Sequence, residues 1–295
     1  MKEITVIGGG TMGNGITHCF AQKGFKVNLV DLSSEILNAA KKNISNNLDR
    51  MIKKEIITSK QKVQILSLIS FHTQMSSCVK NSDLVIEAVT ETETVKMKIF
   101  QELDQLCKKS TILASNTSSI SIEKIGKSTN RKDKVIGMHF MNPVPIMKLV
   151  EVIKSNSTST ETYEKIMSLS QDLGKIPVLV NDAPGFVANR ILLPMINEAI
   201  HTLTDNVSGV KEIDTVMILG MSHPMGPLQL ADFIGLDVCL SILNVLYDGF
   251  KNEKYKPNTI LEKMVTAGEL GVKTKIGFYD YSLGIKEKTI NNRFL

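Results

Sequence analysis

Apolar positions cluster in short dense runs over the first two thirds of the chain and follow helical spacing over the last third. Residues 4–7 and 27–30 are near-continuous apolar runs, as expected of strands covered on both faces of a parallel sheet. Between them, residues 12–23 have helical spacing and stop before Gly24, a residue suited to a left-handed helix end. Together they predict a strand–helix–strand unit. Residues 35–68 are charged and helical in pattern. They are too long for one crossover, so an inserted helical hairpin is expected. Parallel-strand candidates resume at 84–86, 111–114, 135–138 and 149–153, with helix over 94–107 and a last short strand at 178–180. From Phe186 onward the pattern is helical, broken by Gly and Pro clusters and without alternating strands. This predicts an α/β domain over 1–184, then an all-α domain over 185–295, ending in a polar tail after Tyr281.

Length and composition agree with that division. A chain of 295 residues has room for two cores, and 42% hydrophobic with 22% charged residues marks a folded globular protein. No apolar stretch reaches the roughly 18 residues of a membrane span. The N-terminus runs straight into the first strand, so a cytoplasmic protein without a signal segment is expected. Cys19, Cys78, Cys107 and Cys239 form no Cys-x-x-Cys pair, which predicts buried reduced thiols and no metal site. A net charge of +5 suits a small polyanionic ligand and is too mild to point to nucleic acid.

Two clusters carry chemistry. Gly8-Gly-Gly10-Thr11-Met12-Gly13 follows a strand and opens a helix, the context a dinucleotide loop requires. Gly8 allows the tight turn, Gly10 lets backbone amides approach a pyrophosphate, and Gly13 lets the helix pack close to the sheet. Asp31, at the end of the second strand, would accept hydrogen bonds from ribose hydroxyls and repel a 2′-phosphate, favouring NAD over NADP. The same cradle also serves FAD.

The second cluster is His139-Phe-Met-Asn142-Pro-Val-Pro, leading to Glu151. His139 is expected just after a strand, at the carboxyl edge where open sheets bind ligands. Glu151 interrupts an apolar strand, where an ionised carboxylate is costly unless paired, and His139 is its nearest plausible partner. So paired, the imidazole would be held in one tautomer and could take and return a proton beside a redox cofactor. Ser115-Asn-Thr-Ser118-Ser119 ends another strand; such a cluster is commonly a turn or cap, and could also orient a substrate oxygen. Asn142 and Asn189 are neutral donors able to polarise a carbonyl.

These motifs, with Asp83-Leu-Val-Ile-Glu-Ala-Val89, Asp182-Ala-Pro-Gly-Phe-Val-Ala-Asn-Arg190 and His223-Pro-Met-Gly-Pro-Leu228, resemble the 3-hydroxyacyl-CoA dehydrogenases, especially the short bacterial 3-hydroxybutyryl-CoA dehydrogenases. The resemblance implies a Rossmann-like domain with an inserted helical hairpin and an all-helical domain that carries homodimerisation. It implies NAD as cofactor and interconversion of (3S)-3-hydroxyacyl-CoA with 3-ketoacyl-CoA. His139 matches the general base, Glu151 the acid that orients it, and Ser118 and Asn189 the substrate-oxygen contacts. Asn142 matches a residue near the nicotinamide. Glu91 and Lys96 match cofactor contacts, as do Thr11 and Met12 of the loop; Ser118 also borders cofactor and coenzyme A. Lys54, among the hairpin lysines 41, 42, 53 and 54, matches one that meets coenzyme A. The chain departs from the family at Thr92, usually asparagine, at Val272, usually basic, and at Lys275-Ile276, usually a glycine-containing pair. Two other readings stay open on the residues: a dehydrogenase of a free 3-hydroxy acid, and an NAD-binding protein without catalysis.

Overall fold

Glu3–Ile7 has no polar face to offer water: Ile4, Thr5, Val6 and Ile7 are all buried. In the computed structural model, which describes Met1–Leu295, it is β1, inside an eight-stranded sheet. The backbone divides into two units, Met1–Ala183 and Pro184–Leu295.

In the first unit β1 is followed by α1 (Thr11–Gln22), β2 (Lys26–Val30), α2 (Ser34–Lys53), α3 (Ser59–Ser67) and β3 (Ile69–His72). Next come β4 (Leu84–Glu87), α4 (Glu93–Leu106), β5 (Ile112–Ser115), α5 (Ile122–Lys127), β6 (Val135–Phe140), β7 (Leu149–Lys154), α6 (Thr160–Asp172) and β8 (Ile176–Asn181). The sheet order is β3-β2-β1-β4-β5-β6-β7-β8. All neighbours are parallel except β6 and β7. The α/β architecture with a mostly parallel sheet is the expected one.

Three details differ from expectation. β7 was expected to run parallel to the others, but it reverses direction against β6. The segment joining them, residues 141–148, is shorter than the dozen or so residues a parallel crossover needs, so the chain folds back as a hairpin. His139 was expected just beyond its strand and lies within β6. β3 was not foreseen, because this edge strand buries fully only Ile69.

The inserted hairpin follows from local chemistry. Ser33 caps α2 by accepting from the Ile36 amide, and Thr58 and Gln61 form a reciprocal capping box on α3. Leu37, Ala40, Ile44 and Leu48 make one buried stripe on α2, so the helix packs its apolar face on the core and leaves its lysines outside. Lys62 reaches across to Asp49 at 2.7 Å and joins the two arms.

The second unit holds α7 (Ala188–Thr204), α8 (Val210–Gly220), α9 (Pro227–Ile234), α10 (Leu236–Phe250) and α11 (Thr259–Thr266) around its own apolar core. The residues expected to form a polar tail instead complete this unit. β9 (Tyr279–Asp280) pairs antiparallel with β10 (Thr289–Ile290), Phe294 stacks on Phe278 at 5.5 Å, and the buried Asn291 donates to the Gly277 carbonyl at 2.7 Å. Two buried carboxylates anchor this closing segment. Asp214 accepts from the Tyr279 hydroxyl at 2.8 Å, and Asp232 from the Tyr281 hydroxyl at 3.0 Å and from two backbone amides. Lys275, one of the family departures, sits in the left-handed region at φ +63°, a conformation a glycine adopts without steric cost. No single helix is long and apolar enough to cross a membrane. No three His, Cys, Asp or Glu side chains are gathered to hold a metal ion.

Candidate active site at the carboxyl edge of the sheet

β1, β2, β4, β5 and β6 share one direction, so the segments after them meet at one edge. At the end of β1, Gly8 adopts φ +102° and passes so close to Ala88 that a Cβ there would lie 2.6 Å from the Ala88 carbonyl oxygen. A Cβ on Gly13 would strike the Gly8 carbonyl oxygen, so only glycine lets α1 begin against the turn. Beside Gly10, by contrast, a Cβ would meet nothing within 4 Å. That is open space at the N-terminus of α1, which has no side-chain cap on its first amides. Amides facing a vacant approach at a positive helix end fit a pyrophosphate. Thr11 and Met12 occupy the first turn of α1. The Asp31 carboxylate accepts from the Gly9 amide at 2.8 Å and from the Ser33 amide at 3.1 Å. It thereby ties the loop to the end of β2 and also shapes the entry to α2.

The segment after β4 is organised by buried charge. Glu87 is fully buried; one of its oxygens accepts from the Lys96 ammonium and the Val89 amide, each at 2.7 Å, and the other from the Ser115 hydroxyl at 2.6 Å. Lys96 lies between Glu87 and Glu91, the latter at 3.3 Å, and its side chain is only 1% exposed. The ammonium is thus enclosed between the two carboxylates, and Glu91, whose side chain is 35% exposed, is the more accessible partner of the pair. The outward Glu91 oxygen accepts from the Thr117 hydroxyl, the Ser118 amide at 2.8 Å and the Ser119 amide at 3.0 Å. The Ser118 hydroxyl stands 3.2 Å from the same oxygen. Burial pushes the Glu91 carboxyl up, but Lys96 and these donors outweigh it and hold the group below the usual carboxylate range. The chain departs from the family at Thr92, which here precedes α4 without capping it through its side chain.

β6 and β7 supply the acid–base pair. Their register sets His139 directly opposite Glu151, so both side chains project from the same face. His139 Nδ1 lies 2.7 Å from Glu151 Oε2, with both residues buried. A carboxylate only accepts, so Nδ1 donates and Nε2 carries the lone pair of the neutral ring. Asn116, at the end of β5, accepts from the Phe140 amide at 2.9 Å and holds the serine-rich segment against the strand bearing His139.

Asn142 follows β6 and lines a hollow of about 220 Å³ with Thr11, Asn14, Asn43, Asn47 and Arg50. Lys54, the hairpin residue expected at coenzyme A, is exposed at the end of α2, one turn beyond Arg50, and does not line this hollow. Lys41 is turned over the Phe71 ring at 5.8 Å. Asn189 belongs to the second unit, in the first turn of α7. The first unit thus brings together Gly8, Gly10, Gly13, Asp31, Glu91, Ser118, His139, Asn142 and Glu151 along one edge. Glu87, Asn116, Asn47 and Arg50 were missed as contributors, since nothing in their local spacing distinguishes them from ordinary strand-end and surface residues.

Residues 3–183 match the family model for the NAD binding domain of 3-hydroxyacyl-CoA dehydrogenase, and residues 185–281 match its C-terminal domain. The chain is 50% identical to a 3-hydroxybutyryl-CoA dehydrogenase of Clostridioides difficile, over 95% of its own length and 99% of the relative's. It is 42% identical to the human mitochondrial hydroxyacyl-coenzyme A dehydrogenase, over 95% and 91%. Among solved structures, (S)-3-hydroxybutyryl-CoA dehydrogenase from Ralstonia eutropha superposes with a TM-score of 0.93 at 46% identity, covering 96% of this chain and 99% of that one.

Proposed function

The chain belongs to the 3-hydroxyacyl-CoA dehydrogenase family and is an NAD-dependent oxidoreductase, and from that premise we propose that it interconverts (3S)-3-hydroxybutyryl-CoA and acetoacetyl-CoA. The observation that carries this reading is the buried His139–Glu151 pair in a sheet whose other strand ends form a dinucleotide cradle. NAD, held by the Gly8–Gly13 loop and Asp31, supplies the two-electron acceptor. His139 Nε2 takes the proton of the 3-hydroxyl group, and the resulting imidazolium is stabilised by Glu151 through Nδ1. In the reverse direction the imidazolium returns that proton to the 3-keto oxygen. The Ser118 hydroxyl, in the cluster of donors around Glu91 after β5, is assigned as a donor to the substrate oxygen. Asn142 is assigned to the nicotinamide end of the site.

Coenzyme A is assigned to the face of α2 around Asn43, Asn47 and Arg50, with Lys54 at its margin. Contacts of this kind between exposed cations and phosphates weaken as salt is added. We assign homodimerisation to the second unit, where Ile191, Val216, Leu219 and Met221 leave apolar surface exposed. α10 buries Leu236, Cys239, Ile242, Leu243 and Leu246 in the core of its own unit. Four free cysteines suit a reducing compartment, in keeping with the cytoplasm.

Reduction of acetoacetyl-CoA, followed by loss of NADH absorbance, tests the assignment. His139→Gln is expected to lower turnover by about 10²–10⁴-fold. Retention of activity within about tenfold removes His139 from the chemistry. Equal activity on free 3-hydroxybutyrate overturns the thioester assignment.

A further inference from the structure

Lys175 immediately precedes β8, and its side chain runs inward, leaving the residue 8% exposed. The ammonium donates to two backbone carbonyls, Val144 O at 2.5 Å and Met147 O at 2.8 Å. The Cys19 thiol on α1 faces the same group. His18, on the same helix, is fully buried with neither ring nitrogen hydrogen-bonded. Both carbonyl acceptors belong to the turn joining β6 to β7, whose backbone is closed by Ile146 and Met147 amides donating to Pro143 O. The turn also presses on α1, where a Cβ on Gly15 would lie 2.9 Å from the Val144 side chain. A buried ammonium held by neutral carbonyls is a poor way to gain stability, since its dehydration costs more than such bonds return. What it provides is position. The turn it clamps begins with Asn142 and links the strand of His139 to the strand of Glu151.

We infer that Lys175 is a positioning residue for the cofactor end of the site: it clamps the 142–147 turn against α1 and thereby sets where Asn142 stands relative to the glycine loop. The inference deepens the proposed function and rests on it for the role of Asn142, although its main readout is NADH binding, independent of turnover. The lysine itself touches neither cofactor nor substrate. Its removal takes the donor from the buried Val144 carbonyl and the part-buried Met147 carbonyl and lets the turn drift, and a displacement of an ångström at such a site costs an order of magnitude or more.

The test measures NADH dissociation constants and acetoacetyl-CoA kinetics for Lys175→Met, Lys175→Arg, Asn142→Ala and the Met/Ala double variant, with melting temperatures alongside. Lys175→Met is expected to weaken NADH binding by roughly tenfold, with Lys175→Arg recovering part of the loss. The double variant should bind no worse than the poorer single one, because both act through one turn. Gly15→Ala pushes on the same turn at Val144 while favouring helix, and serves if Lys175→Met does not fold; it too should weaken NADH. Unchanged NADH affinity in a folded Lys175→Met, or fully additive losses in the double variant, overturns the inference. An inert wild type overturns the proposed function, while the NADH ratios still decide the role of Lys175.

Discussion

His139 and Glu151 face each other across adjacent antiparallel strands, Nδ1 to Oε2 at 2.7 Å, at directly opposed register positions. The pairing therefore needs no loop to hold it. Two rigid backbones fix both ends, and burial excludes water that would compete for either group. Glu151→Gln tests how much of the chemistry depends on this bond. An amide can present its NH₂ group to Nδ1 and reverse the ring tautomer, placing the proton on the nitrogen that must accept one. Turnover is expected to fall by about 10²–10⁴-fold with NADH affinity unchanged, as for the acid that orients a catalytic histidine elsewhere. A loss smaller than about tenfold would sink the orienting role.

The Glu87–Lys96 pair gives a stability prediction. Both side chains are essentially inaccessible, so removing one leaves the other charged and unpaired inside the protein. Lys96→Met should cost about 3–5 kcal/mol in urea unfolding, and adding Glu87→Gln should recover part of it. If the single variant unfolds at the wild-type midpoint, the pair is not what organises the β4 edge.

His18 sets a pH dependence. Burial first, and the Lys175 ammonium second, lower its pKa to about 4 from an ordinary value near 6.5. Between those values the unfolded chain binds a proton that the folded chain refuses. Stability from this residue is therefore complete above pH about 6.5 and is lost as pH falls toward about 4. His18→Gln should flatten that part of the stability curve, with a difference of up to about 3 kcal/mol at the acid end. Parallel curves for the two proteins across this range would contradict it.

The apolar face of α7 and α8 predicts an assembly. Met195, Ala199, Ile213, Val216 and Met217 line a hollow of about 400 Å³ that is mostly hydrocarbon, with Leu219 exposed nearby. Exposed apolar patches of this kind mark association surfaces. Sedimentation should find a dimer for the wild type and monomer for Val216→Glu/Leu219→Glu. A wild type that sediments as a monomer at micromolar concentration would place dimerisation elsewhere or nowhere.

The glycine loop, Asp31, the His139 motif and the division into sheet and helices were legible in the sequence, because each depends on residues close together in the chain. A tight turn needs Gly8, a helix that starts against it needs Gly13, and a buried strand needs its run of aliphatic residues wherever it lies. Tertiary structure decided what those local rules leave open. A run such as Leu-Val-Glu-Val-Ile has the same pattern in either direction, so the reversal of β7 came from its short connection to β6, and with it the opposed register of His139 and Glu151. The enclosure of Lys175 joins segments 31 residues apart in the chain, while that of Lys96 and the folding-in of Asn291 and Phe294 depend on how each segment packs rather than on its local pattern. Whether a lysine meets solvent, a ligand or two backbone carbonyls depends on which surfaces the packed core brings against it, and that is a property of the whole fold.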